Sequence, residues 1–149
     1  YVRSLTKRRL EVFAGRVMDC FQAAAAATGC TVEVSHVGHL YEDLVSDPLL
    51  TRLFDANSRA LGRALVPGAQ RDPATAGSTD MGNVSHVVPA IHPYLDLYCS
   101  PVTNHQKAFA DHTLTADGHR ALRDGALAMA WTVIDLAQGD LWGELGNRP

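Results

Sequence analysis

Cysteine is scarce in this chain of 149 residues. The three present, Cys20, Cys30 and Cys99, are an odd number with no Cys-x-x-Cys among them. A disulfide framework is therefore not legible, and reduced, mostly buried thiols of a cytoplasmic protein are the expectation. An excess of basic charge is lacking too: the formal net charge is -3, so nothing argues for nucleic acid. The longest apolar stretch, around residues 126–137, contains Asp135 and is too short to span a bilayer. The opening "YVRSLTKRRL" is basic with no apolar segment behind it, which is not a signal peptide. A starting Met is missing, and the first residues read as the middle of a strand, as expected of a chain cut from something longer. His-Glu-x-x-His, His-x-His and Gly-x-Ser-x-Gly are all absent. Those absences argue against a self-contained metal site and against a nucleophilic triad.

What is present is globular in composition: 46% hydrophobic and 19% charged residues, enough for one ordinary domain with a sizeable core. "YVRSL" is short and β-prone, and Thr6 follows as a helix N-cap. Leu10, Phe13, Val17, Cys20, Phe21 and Ala24 then recur at helical spacing up to Gly29, a natural stop. "CTVEVSHV" reads as a strand, so residues 1–37 read as strand–helix–strand. Residues 38–46 look like a linker. Asp47 and Pro48 then start a second helix that Gly62 ends. Residues 66–76 are loop by composition.

The stretch "GSTDMGNVSHVVPAIHPY", residues 77–94, reads as a polar turn followed by two short strands. Val84, His86 and Val88 share one face of the first; Ile91, Leu95, Leu97 and Cys99 share a face of the second. Pro89 and Pro93 favour an edge or bent strand. Residues 100–114 read as an irregular polar loop. A final helix is expected from about Asp117 to Gln138, with Leu122, Ala126, Met129, Val133 and Leu136 as its stripe and apolar residues nearly all round. The order β-α-β, α-β-β-α predicts an α/β layered architecture.

Seven histidines invite a metal reading, yet their spacings force none of them together. The 77–94 stretch resembles the late catalytic-domain segment of the metal-dependent amidohydrolases related to aminoacylase, carboxypeptidase G and aminobenzoyl-glutamate hydrolase. "YVRSLT" with "CFQAAAAATGCTVEV" resembles the end of that family's lid, or dimerisation, domain. "NHQKAF" at 104–109 resembles its late His-x-x-x-Phe element, and "GALAMAWTVIDL" its final helix. The subfamily resembled most includes aminobenzoyl-glutamate hydrolase and mammalian β-alanyl-type dipeptidases.

The resemblance implies the C-terminal part of a layered α/β metallopeptidase. Residues 1–38 would end a ferredoxin-like lid domain, and residues 39–149 would complete the catalytic domain. It implies hydrolysis, by a metal-activated water, of the amide of a dipeptide or an N-acyl or aminobenzoyl amino acid that ends in a free carboxylate. Two divalent ions, zinc or manganese, would serve the parent enzyme, with none bound tightly by this fragment. A small-molecule substrate, a cytoplasmic location and a homodimer formed through the lid are also implied, with no nucleic acid or membrane partner. His105 is the implied metal ligand, with His112 as its nearest competitor. Arg3 is implied to grip the substrate carboxylate through its bidentate fork, and Gly77, Ser78 and Thr79 to approach the same end of the substrate. No general acid or base falls on this segment, so the fragment alone is expected to be inactive.

Blander readings stand beside these. His105 can be a solvated loop histidine, and Arg3 an exposed strand residue. His86 and His92 read as structural, and His36, His39 and His119 as surface residues. Asp80 reads as a turn former. Lys7, Arg8 and Arg9 form a solvated helix start that opposes the helix dipole. One rival function is a non-catalytic binding or interaction module on the same scaffold. Another is an unrelated α/β enzyme using Cys99 with a histidine.

Overall fold

A computed structural model describes residues 1–63 and 77–146, so the loop expected at 66–76 lies outside the described residues. The described residues are helical, with no β-strand among them. They fall into two compact units: residues 1–45 with 77–87, and residues 46–63 with 88–146. No helix among them is long and apolar enough to cross a membrane.

In the first unit, α1 spans Lys7–Thr28 between the two caps the sequence signals. Thr6 Oγ1 accepts from the Arg9 amide, and Gly29 takes φ +66°. The amides of Gly29 and Cys30 close onto Ala26 O and Ala25 O at 3.4 and 2.9 Å, a Schellman ending. The basic start is compensated from a distance: Asp43 Oδ1 accepts from the Lys7 amide, and Glu42 pairs with Lys7 Nζ. Two carboxylates thus meet the positive end of the helix. Of the expected apolar stripe only Leu10 is buried, and Phe13 and Phe21 are exposed. The correction has a simple cause. Residues 30–37 were expected to pair as a strand, but a strand exists only through a lateral partner. Among the described residues they have none, and Val32 and Val34 stay exposed.

The second correction is α3, Met81–Val87, a helix where a strand was expected. The alternation of Val84, His86 and Val88 is misleading, because Val84 and Val88 are exposed. The residues that decide the conformation are Gly82, Ser85 and His86, spaced i, i+3, i+4 on one helical face. They meet the backbone of residues 42–45. Ser85 Oγ accepts from the Val45 amide at 2.9 Å and donates to Gly82 O. His86 Nε2 lies 3.0 Å from Asp43 O. Asn83 bridges the Glu42 amide and Leu40 O. A Cβ on Gly82 would come within 1.9 Å of Glu42 O, so only glycine permits this approach. Tertiary contact thereby overrides the strand preference of the valines.

In the second unit, α2 (Pro48–Ala60) starts as the sequence signals, with Asp47 Oδ1 accepting from the Leu50 amide. Asp47 is sealed: its other oxygen accepts from the Gly146 amide, and its own amide donates to Ala90 O. A short helix, α4 (Lys107–Thr113), lies inside the segment expected to be an irregular loop. The final helix, α5 (Ala116–Gln138), is capped by Thr115 Oγ1 and packs against both α2 and α4. Its inward face is a corrected register. Ala121, Asp124, Gly125, Ala128, Thr132 and Leu136 are buried, while Leu122, Met129 and Val133 of the expected stripe are exposed. Leu49 and Phe54 of α2 are buried, and Leu95 Cδ1 lies 2.5 Å from where a Cβ on Gly125 would stand, so α5 needs a small residue there. Asn57 Nδ2 ties the pair together through Asp135 Oδ2 at 2.7 Å and Thr132 Oγ1 at 3.3 Å. The second expected strand, 91–99, has no strand partner among the described residues. The thiols are also corrected: Cys20 and Cys30 are exposed and Cys99 is half-buried, so none is a sealed core residue.

Candidate functional site

The 77–80 turn leads directly into α3. Gly77 and Ser78 are exposed, and Thr79 is half-buried. Thr79 Oγ1 accepts from the Met81 amide at 3.2 Å, and Thr79 O accepts from the Gly82 amide. The Thr79 hydroxyl is therefore already engaged in starting the helix, and its proton remains available to donate. Asp80 is exposed at the turn, with no ion-pair partner among the described residues. Arg3, in the same unit, is exposed, with its guanidinium 6.0 Å from the Tyr1 ring centroid. No hydrogen bond or ion pair among the described residues joins Arg3 to residues 77–79.

His105 belongs to the second unit. It stands at φ +64° on the turn before α4, exposed, with no hydrogen-bond partner for its ring among the described residues. A left-handed backbone is uncommon outside glycine, with His among the residues that adopt it more readily. Two other histidines are engaged. His112 Nε2 lies 2.9 Å from Leu97 O, and His86 Nε2 is held at Asp43 O. The His92 ring lies 5.5 Å from that of Tyr94, and its Nδ1 is sealed with no partner among the described residues. His36, His39 and His119 are exposed.

No group of three or more His, Cys, Asp or Glu among the described residues is arranged to hold a metal ion. A lone free imidazole does not fit a metal centre by itself. The described residues therefore supply no metal site of their own, and no catalytic step is assigned to one here.

One cluster had no signal in the sequence. Arg63, just beyond α2, donates from Nε to Asp124 Oδ2 at 2.8 Å and from Nη1 to Asp96 O at 2.9 Å. Both side chains of the ion pair are buried, 7% and 6% exposed. The Arg63 hydrogen bond is the main reason that the Asp124 carboxyl is held below its ordinary value, against the opposing effect of burial; Arg123 adds to it. Arg63 and Asp124 are 61 residues apart, and neither sits in a motif, so spacing offered no clue.

No protein-family model matches the chain. It is similar to Xaa-Arg dipeptidase from human, 34% identical over 136 residues, which is 91% of this chain and 31% of the relative. It is likewise similar to Xaa-Arg dipeptidase from mouse, 32% identical over the same length and shares. The chain thus spans under a third of the length of the curated relatives it matches.

Proposed function

We propose that this chain is part of a hydrolase that cleaves the amide bond of a dipeptide, or of an N-acyl amino acid, that ends in a free carboxylate. The observation that carries the reading is the similarity to two dipeptidases along nine-tenths of the chain. It is joined to the ordered motifs at 1–6, 77–94 and 104–109. A dipeptide ending in arginine is the first substrate to test, because that is what the names of the relatives state.

In this reading the chain binds and orients substrate and supplies one metal ligand; the activation of water belongs to residues outside it. His105 is the ligand. Its ring has no partner among the described residues, whereas the His112 ring is committed to Leu97 O, and this favours His105 over its competitor. Zinc or manganese, two ions per site, is the proposed metal. Arg3 pairs with the substrate carboxylate, and Gly77, Ser78 and Thr79 approach it with an amide and two hydroxyls. Residues 1–38 end a lid through which two copies associate, residues 39–149 complete an α/β catalytic domain, and the enzyme works in the cytoplasm. The apolar face left exposed on α5 (Leu122, Met129, Val133) supports the α/β part, since a sheet packed there would cover it.

The test is made on the protein that carries this chain together with the remainder of its relatives' length. Hydrolysis of a dipeptide ending in arginine is expected. His105→Ala lowers kcat by about a thousandfold or more, and His112→Ala leaves it within roughly tenfold. The reverse order of the two variants overturns the assignment of His105. Absence of hydrolysis across dipeptides and N-acyl amino acids, with zinc or manganese supplied, overturns the function.

A further inference from the structure

We propose that the second unit carries a pocket for a small carboxylate, built on Arg63, Arg120 and Tyr98. A cavity of about 290 Å³ opens among Gly62, Arg63, Tyr98, Asp117 and Arg120. A wider hollow shares Asp117 and Arg120 with it and reaches His119 and Arg123. The cavity's own lining is balanced, Arg63 and Arg120 against Asp117 and Asp124, and Arg123 in the adjoining hollow adds one positive charge.

The aspartates do not exhaust the donors. Arg63 is fixed at two corners by Asp124 and Asp96 O, and its third nitrogen, Nη2, is sealed with no partner among the described residues. A buried N–H without an acceptor carries an uncompensated desolvation cost. An anion in the cavity above it offsets part of that cost through the electrostatic field, without touching Nη2. Arg120 is the donor that makes contact. Its side chain is half-exposed, and among the described residues it commits one nitrogen to Asp117.

Tyr98 brings the two guanidinium groups together. Their carbons lie 5.7 Å (Arg63) and 5.8 Å (Arg120) from its ring centroid. The ring reaches that place from a left-handed backbone, φ +55°, held by the Tyr98 amide donating to Asp96 Oδ1 at 2.7 Å. Strained residues of this kind gather where ligands are clamped. A planar guanidinium fork, one extra positive charge from Arg123 and an aromatic ring suit a monocarboxylate with a short apolar tail. A phosphate dianion carries twice the charge that this one excess cation balances. None of these residues is among Arg3, Gly77, Ser78, Thr79 or His105, so the pocket and the hydrolase reading fail separately.

Butyrate and, in a second arm, inorganic phosphate are titrated into the full chain at constant ionic strength. The arginine Nε–H resonances and the Tyr98 amide are followed by NMR. Butyrate is expected to shift Arg63, Arg120 and Tyr98 saturably, and phosphate to leave them unmoved over the same range. Arg120→Gln weakens butyrate binding by roughly tenfold or more, the effect of one charge-assisted hydrogen bond, with helix content retained. If that variant loses helix, Arg120→Lys, which keeps the charge but not the fork, decides by binding more weakly than the parent. Linear shifts without saturation, equal response to phosphate, or variants that bind as the parent does overturn the proposal.

Discussion

Arg63 Nε donates to Asp124 Oδ2 at 2.8 Å across 61 residues of chain, and both side chains are almost closed to solvent. This pair joins the end of α2 to the middle of α5. Removing one partner leaves the other charged and dry, which is costlier than never having built the pair. Asp124→Asn is therefore expected to destabilise the chain by about 3 kcal/mol, measured by urea unfolding at neutral pH.

The same pair sets an acid dependence. Asp124 is held below its ordinary value of 3.8, so its contribution is fully present above that value and is lost as pH falls through the lower folded value. The gap between the parent chain and Asp124→Asn should thus be constant from neutral pH down to about 5 and close below 3.8. A gap that persists unchanged well below that point would contradict the pairing.

Two glycines separate backbone freedom from backbone contact. Gly15, inside α1, would have nothing within 4 Å of an added Cβ, whereas Gly82 would place it 1.9 Å from Glu42 O. Gly15→Ala should stabilise the chain by about 0.5–1 kcal/mol. Gly82→Ala should cost about 1–3 kcal/mol and free the α3 amides to hydrogen exchange, since the segment it abuts is backbone and has no rotamer to yield.

The register of α5 is tested by two leucines. Leu136 is 3% exposed and Leu122 is 74% exposed. Leu136→Ala is expected to cost about 2–5 kcal/mol, and Leu122→Ala to stay within about 0.5 kcal/mol. Equal losses in thermal unfolding would restore the reading of a helix buried all round.

The isolated chain with zinc or manganese added should show no turnover of dipeptides, because no three His, Cys, Asp or Glu side chains among the described residues are grouped to hold a metal ion. Clear turnover would show that a complete ligand set lies within the chain. It would also mean that His105 has been given too small a part.

Helix ends were legible in the sequence because capping is local. Thr6, Gly29, Asp47 with Pro48, and Gly62 each act within a few residues of themselves, and each stands where its chemistry places it. The candidate site was legible only as a motif order: neither composition nor spacing singles out His105 or Arg3 without it. What the sequence could not decide was which face turns inward. Val84, Val88, Leu122, Met129 and Val133 look like core residues, but the faces that pack are Gly82–Ser85–His86 and Ala121–Gly125–Ala128. Hydrophobic patterning records an average tendency to leave water, whereas packing is settled by which neighbour arrives. The backbone of residues 42–45 accepts a glycine and a hydroxyl, and Leu95 leaves room only for glycine at position 125. For the same reason the Arg63–Asp124 pair emerges only in three dimensions: two opposite charges 61 positions apart have no local relationship until the chain has folded around them.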